Sequence, residues 1–177
     1  IATFLAEDNG NITEARQFDD PVSGNFFMRV CFEHEADEAS LRAGLAPVAE
    51  RFGMDVDLRP AGRRMKVLLM VSRFDHCLGD LLYRHTIGEL QMDIVAVASN
   101  HPREVLRLTI DEQIPYHHLP VTRDTKAAQE AAVRALIEET GAELVVLARY
   151  MQILSNETSN RLFGSAINIH HSFLPSF

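Results

Sequence analysis

The chain has no tryptophan and only two cysteines, and no apolar stretch approaches the roughly 18 residues that a helix needs to cross a bilayer. Cys31 and Cys77 are far apart and lack C-x-x-C spacing, so they suggest neither a disulfide framework nor a thiolate metal site. A reducing compartment is the simpler reading. The start carries no basic region followed by an apolar run and a cleavage site, which points to a cytoplasmic location. Basic residues are outnumbered 17 to 25, giving a net charge of -8, and no basic cluster is visible. That balance argues against a nucleic-acid partner, although a small anion in a local basic pocket stays compatible with it. The histidine pairs His117-His118 and His170-His171 come without H-E-x-x-H or histidine-carboxylate spacing, and adjacent side chains on a strand point apart. No metal centre is expected. No G-x-S-x-G turn surrounds Ser172, which removes the usual serine-hydrolase arrangement.

What is present is ordinary for a folded protein: 46% hydrophobic and 24% charged residues place the chain far from disordered compositions. Its 177 residues suffice for one large domain or two small ones. The sequence opens without Met inside an apolar pattern and stops at Ser176-Phe177 just after an expected strand and loop. It therefore reads as a fragment truncated at both ends.

The first 60 residues have one rhythm. Ile1, Phe4 and Leu5 recur at helical spacing, and Asn9-Gly10 supplies a left-handed stop. Ile12 to Phe18 and Phe26 to Phe32 read as strands joined by a turn-rich loop containing Pro21 and Gly24. Leu41, Leu45, Val48, Ala49 and Phe52 mark one face of a second helix closed by Gly53, before a short strand expected from Asp55 to Leu58. With one more strand ahead of Ile1 this order is the βαββαβ, ferredoxin-like pattern. Pro60 to Arg64 then breaks the periodicity, so residues 61–65 are taken as a linker.

From residue 66 onward, buried strands alternate with helices. Val67 to Val71, Ile94 to Ala98 and Leu144 to Leu147 are continuous apolar runs, as expected for strands covered on both faces of a parallel sheet. Tyr116 to Leu119 and Ala166 to His170 add two more. The clearest helix is Thr125 to Thr140, with Asp124 as its expected cap, Ala128, Ala131, Ala132, Ala135 and Leu136 as its expected apolar face, and Gly141 as its stop. Such alternation predicts a doubly wound, mostly parallel, Rossmann-like α/β sheet, in which ligands sit outside the carboxyl ends of the strands.

Two segments there could carry chemistry. On a strand from Ala166 to His170, period two places Asn168 and His170 on one face. An amide can donate to a carbonyl oxygen gaining negative charge and an imidazole can shuttle a proton, which are parts needed for acyl transfer. The competing reading is that the two side chains only tie down a strand end. The second segment, Leu147 to Leu154, runs from a strand into a loop whose apolar side chains and backbone groups could hold a flat aromatic ligand. Met and Leu after a strand are, however, more often core.

These motifs, Leu147-Ala148-Arg149-Tyr150-Met151-Gln152-Ile153-Leu154 and Asn168-Ile169-His170, resemble the folate-binding loop and Asn-x-His motif of the formyltransferases and hydrolases that use 10-formyltetrahydrofolate. The doubled histidine before Ser172-Phe173-Leu174-Pro175, with Val71-Ser72 leading into Asp75-His76-Cys77-Leu78-Gly79-Asp80-Leu81, looks like the formyltetrahydrofolate deformylases in particular. The resemblance extends over the whole chain, because residues 1–60 look like the ACT domain found ahead of that catalytic domain. It implies hydrolysis of 10-formyltetrahydrofolate to tetrahydrofolate and formate, serving one-carbon folate pools and purine biosynthesis. It also implies Asn168 and His170 as catalytic residues and Leu147, Met151, Gln152, Ile153 and Leu154 as substrate-binding. No tightly bound cofactor is expected. A homo-oligomer is expected, with a possible amino-acid effector at the ACT-like part and no membrane or nucleic-acid partner. Relatives supply a catalytic aspartate some tens of residues after the Asn-x-His motif, and the sequence ends before that position.

The turn Ser72-Arg73-Phe74-Asp75-His76 bears on the acceptor. Glycinamide ribonucleotide formyltransferases of similar fold carry a Gly-Ser-Asn-rich turn there that cradles a phosphate. Here Phe74 fills space and Asp75 is expected to repel a phosphate, so water is the expected nucleophile. Two alternatives stay open: a folate-dependent formyltransferase to an amine, and an amino-acid-binding regulatory protein whose catalytic domain is inactive.

Overall fold

A computed structural model describes residues 1–22 and 24–169. The chain divides between Arg63 and Arg64 into two compact units.

In the first unit, helix α1 (Ala2–Glu7) ends at Asn9, whose φ of 61° lets the Gly10 N–H return to the Leu5 carbonyl at 2.6 Å. Asn tolerates this left-handed conformation because its short polar side chain can hydrogen-bond locally. Strands β1 (Asn11–Asp20) and β2 (Asn25–Glu33) pair antiparallel, so the connecting loop is shorter than the turn residues suggest. Phe18 and Phe27 sit opposite each other in that ladder and both are exposed. Helix α2 (Glu38–Phe52) is capped by the Asp37 carboxylate, which accepts from the Ser40 N–H, and stops at left-handed Gly53. It buries Leu41 and Leu45. Phe52, expected on the same face, is instead exposed and lies under the Arg51 guanidinium.

The strand expected over Asp55 to Leu58 does not form. A strand exists only through a ladder of backbone hydrogen bonds to a neighbouring strand, and among the described residues no strand pairs with that segment.

The second unit is an open five-stranded sheet, all parallel, in the order β5-β4-β3-β6-β7. Its strands are β3 (Met65–Val71), β4 (Met92–Ser99), β5 (Tyr116–His118), β6 (Leu144–Ala148) and β7 (Ala166–Ile169). The central strand β3 keeps all five residues from Val67 to Val71 at 1% exposure or less, which is why it reads as an unbroken apolar run. Strand alternation sorts them between two layers. Val67, Leu69 and Val71 meet Leu78 of helix α3 (His76–Thr86) together with Leu106 and Ile110. Leu68 and Met70 meet Val133 and Leu136 of helix α4 (Lys126–Thr140), and Leu162 beyond helix α5 (Asn156–Arg161). Each such side chain contributes roughly 1.5–3 kcal/mol by leaving water.

Helix α4 corrects two expectations. Its N-cap is Thr125, not Asp124, and the Thr122 and Thr125 hydroxyls hydrogen-bond to each other and to each other's backbone N–H. The alanines Ala128, Ala131, Ala132 and Ala135 face outward, while Gln129, Glu130, Val133 and Leu136 are buried. A methyl group gains too little from burial to dictate helix rotation, so the larger Val133 and Leu136 turn the helix and carry two polar residues inward with them.

Candidate active site at the carboxyl edge of the sheet

Strand order reverses between β3 and β6: the chain runs outward through β4 and β5, then returns to lay β6 on the other side of β3. Such a reversal opens a crevice at the carboxyl ends of the two strands, where ligands of this architecture bind. The segments after β3 and β6 meet there. Ser72 is buried at the end of β3; its hydroxyl accepts from the Met151 N–H at 3.0 Å and donates to the Asn100 Oδ1 at 2.7 Å, joining the ends of β3, β4 and β6.

The segment after β6 turns at once. Arg149 has φ of 59°, rare for a residue with a side chain, and its N–H closes a tight turn on the Leu147 carbonyl at 3.0 Å. Its guanidinium lies 4.6 Å from the centre of the Phe74 ring, and its Nη1 donates to His76 Nε2 at 3.3 Å. A guanidinium can only donate, so His76 Nε2 is the acceptor in that contact. The Arg149 Nε is buried without a hydrogen-bond partner among the described residues. A left-handed non-glycine residue with an unsatisfied buried donor is strain, and strain of this kind clusters at functional sites.

Beyond Arg149, the loop is pinned at both ends by α4. Buried Gln129 donates from Nε2 to the Tyr150 hydroxyl at 2.7 Å. Buried Glu130 accepts from the Ser155 N–H at 2.8 Å, from the Thr158 hydroxyl at 2.7 Å and from the Ser155 hydroxyl. Burial pushes the Tyr150 phenol above its ordinary value, reinforced by the Glu130 charge and opposed by the Gln129 hydrogen bond, so it stays protonated. For Glu130 burial acts upward as the largest single influence, but the hydrogen bonds from Ser155 and Thr158 and the charge of Lys126 together hold its carboxyl below the ordinary 4.5.

A lowered folded-state pKa stabilises the fold at pH above the unfolded value and is lost as pH falls through the folded one. Stability should therefore drop on acidification below about pH 4.5. Glu130→Gln should flatten that decline, which urea midpoints between pH 6 and pH 3 would record; an unchanged slope would rule out an ionised Glu130.

The expected site residues divide among these surroundings. Leu147 is 8% exposed and packs in the core against the α4 side, so its side chain is not free to wall a ligand. Met151 is half exposed and Ile153 is 86% exposed, whereas Gln152 and Leu154 are partly buried, with Leu154 packed on the core. Asn168 sits on β7 in register with Leu147 and is exposed. Asn168 and the loop from Arg149 to Leu154 thus leave the same edge of the sheet on adjacent strands. His170 and the Ser172 to Pro175 motif lie outside the described residues.

The turn after β3 differs from expectation in one respect. The Asp75 carboxylate does not point at an acceptor; its Oδ2 accepts from the Arg107 and Leu108 N–H groups at 2.5 and 3.0 Å. What occupies the turn is Phe74 with the Arg149 side chain stacked on it. A hollow of about 490 Å³, lined in part by Arg64, His85, Asp93 and Gln113, lies instead at the amino ends of β3 and β4. In this architecture that is the end remote from the chemistry. Among the described residues, no group of three or more His, Cys, Asp or Glu could hold a metal ion, and no helix is long and apolar enough to cross a membrane.

Sequence reasoning missed Gln129, Glu130, Ser72 and the strained Arg149. The first two had a signal, because Gln129, Val133 and Leu136 follow one helical stripe with Glu130 beside it.

An open parallel α/β unit with a polar strand end and a strained loop at its switch point defines the class of sheet enzymes that bind small ligands at the carboxyl edge. A sequence profile of the formyl transferase family matches residues 65–177, and the chain belongs to that family. It is 48% identical over 180 residues to a formyltetrahydrofolate deformylase of Corynebacterium sp. (strain P-1), an alignment covering 100% of this chain and 63% of the relative. It superposes on the crystal structure of a formyltetrahydrofolate deformylase from Pseudomonas putida KT2440 with a TM-score of 0.86 and 53% identity, covering 99% of this chain and 63% of that one. The phosphoribosylglycinamide formyltransferase of Brucella melitensis is less similar, with a TM-score of 0.56 and 28% identity over 65% of this chain and 61% of that one. The chain spans 63% of the length of the two deformylases.

Proposed function

We infer that the protein hydrolyses 10-formyltetrahydrofolate to tetrahydrofolate and formate, with water as the formyl acceptor. The observation that carries this reading is the pairing of Asn168, exposed on β7, with the Arg149 to Leu154 loop leaving β6 beside it. In the proposed mechanism the loop's backbone and the Met151 and Ile153 side chains hold the pterin, with Gln152 and Leu154 shaping the loop. The Asn168 amide donates to the formyl oxygen. Water adds to the formyl carbon, the oxygen becomes an oxyanion held by that amide, and the C–N bond breaks as N10 takes a proton. His170 is assigned the transfer of that proton from the attacking water to N10. Donors preorganised at a developing oxyanion are worth most where water is otherwise excluded.

Water is favoured over an amine because the turn that would cradle a phosphorylated acceptor is occupied by Phe74 and Arg149. The reaction needs no tightly bound cofactor, and the reduced folate is the substrate. We place it in the cytoplasm. Residues 1–60 are read as an ACT-like module, and the linker expected at 61–65 ends before Met65, which is the first residue of β3 in the catalytic part. The exposed Phe18 and Phe27 pair on its hairpin supports a homo-oligomer, since contiguous exposed apolar surface commonly marks an interface. An amino-acid effector for this module is testable by calorimetry.

The test is amine-free turnover. Full-length protein should release formate and tetrahydrofolate in equal amounts from 10-formyltetrahydrofolate in buffer without amines. Tetrahydrofolate appearing only after an amine is added, with the formyl group recovered on that amine as a formamide, would make the protein a transferase. No turnover combined with tight amino-acid binding would favour a regulatory role.

A further inference from the structure

We propose that Gln129 and Glu130 of helix α4 are positioning residues that set folate affinity by holding both ends of the Tyr150 to Ser155 loop. This rests on the reading of that loop as the pterin site. The geometry is specific. Gln129 reaches the Tyr150 hydroxyl at the loop's start and Glu130 reaches the Ser155 N–H and hydroxyl at its end, so one turn of one helix fixes both anchors. A third tether is the Met151 N–H on the Ser72 hydroxyl. The four residues between Tyr150 and Ser155 are otherwise exposed or half-buried, and Ile153 is nearly as open as a free side chain. Of the four, Leu154 packs on the core, and the rest of the loop takes its shape from its tethers.

Burying a carboxylate and a carboxamide on the inner face of a helix is costly unless they are fully hydrogen-bonded. Ordinary packing would be met by apolar residues at both positions. The Glu130 carboxylate instead accepts three hydrogen bonds, and its Thr158 partner also receives one from Arg134 Nη1 at 3.2 Å. The same hydrogen bonds organise the start of α5, where Ser155 is the cap and accepts from the Thr158 N–H. Loop shape is therefore chosen by polar geometry, which has direction, rather than by apolar contact, which has none. A ligand held by backbone groups needs those groups fixed before it arrives, because ordering them on binding would subtract from affinity.

Neither residue is assigned contact with the reacting atoms, so the readout is binding. In the full-length protein, Glu130→Ala leaves the Ser155 N–H and two hydroxyls without their acceptor. KM for 10-formyltetrahydrofolate should rise about ten-fold or more, while kcat per correctly folded enzyme changes less than about three-fold, the pattern of lost uniform binding. Glu130→Gln should restore most of the affinity, since its carbonyl can accept from the Ser155 N–H and its amide can donate to the hydroxyls. Tyr150→Phe removes the other anchor's acceptor and keeps the ring, and should raise KM several-fold.

A merely structural role would lower melting temperature and active fraction and leave KM untouched; that result for Glu130→Ala, or for Tyr150→Phe should Glu130→Ala not fold, overturns the proposal. Ile153→Ala separates the two levels. If Ile153→Ala raises KM and the anchor variants do not, the loop binds folate without being positioned by α4. If Ile153→Ala and Met151→Ala both leave KM unchanged as well, the pterin reading of the loop falls, and the proposal with it.

Discussion

Asn168→Ala should lower kcat on 10-formyltetrahydrofolate by about 10²- to 10³-fold with little change in KM, the loss usual for one oxyanion donor. The expectation follows from position and chemistry together. Asn168 lies on β7 in register with Leu147, its side chain is exposed, and the strained Arg149 turn leaves the neighbouring strand two residues beyond that register point. An amide there gains most when the carbonyl oxygen becomes anionic, so its removal is felt in the transition state more than in substrate binding. Because the side chain is exposed, stability should change by no more than ordinary surface substitutions do, about 0.5 kcal/mol. An Asn168→Ala enzyme with kcat within three-fold of the parent would remove the residue from the chemistry, and a large drop in stability would recast it as a strand-end tie. Asn168→Asp is a sharper comparison, since it preserves shape and replaces a donor with a carboxylate that repels the developing oxyanion.

The second large effect is on the fold. Leu69→Ala should cost about 2–5 kcal/mol, the range for a fully buried leucine whose cavity cannot collapse. Leu69 has no exposed surface, sits in the middle of the central strand and packs in the layer holding Val67, Val71, Leu78 and Ile110. β3 is paired on both sides, to β4 and to β6, so its backbone cannot shift to close the void. Against a total stability of about 5–15 kcal/mol, that loss is large enough to depress the urea midpoint severely. Ile153→Ala is the control: 86% exposed, it should change stability by less than about 0.5 kcal/mol while raising KM for folate. Equal stability losses in the two variants would mean that the loop is part of the core and not a ligand surface.

The sheet was legible because its strands are buried on both faces. β3 and β6 appear as continuous runs of aliphatic residues, and Gly141 and Gly53 close their helices in the left-handed conformation expected of them. The segment from Asp55 to Leu58 was less legible, because a strand is a property of a pair of segments and the sequence displays one at a time. Helix α4 misled because alanine is a good helix former that fits either face. Its rotation is set by Val133 and Leu136, and once those point inward Gln129 and Glu130 must follow. That burial converts two residues that look solvent-facing into the supports of the candidate site.

At the site itself the Asn-x-His pattern and the loop were visible as motifs, whereas what shapes the loop was not. No glycine marks the left-handed turn, which falls on Arg149. Nothing in the spacing pairs Arg149 with Phe74, 75 positions away in the sequence, or Ser72 with the Met151 N–H. These contacts arise only where strand order reverses and the ends of β3 and β6 are brought side by side. Leu147 shows the converse: counted with the loop by its motif, it belongs by burial to the core that carries the loop.

Hydrolysis, rather than transfer, is the central claim, and isotope labelling tests it most directly. Full-length protein incubated with 10-formyltetrahydrofolate in ¹⁸O-enriched water, without any amine, should yield formate carrying one solvent oxygen per molecule within the first turnover. Unlabelled substrate remaining intact until an amine is supplied, with the formyl group then recovered as a formamide, would contradict it.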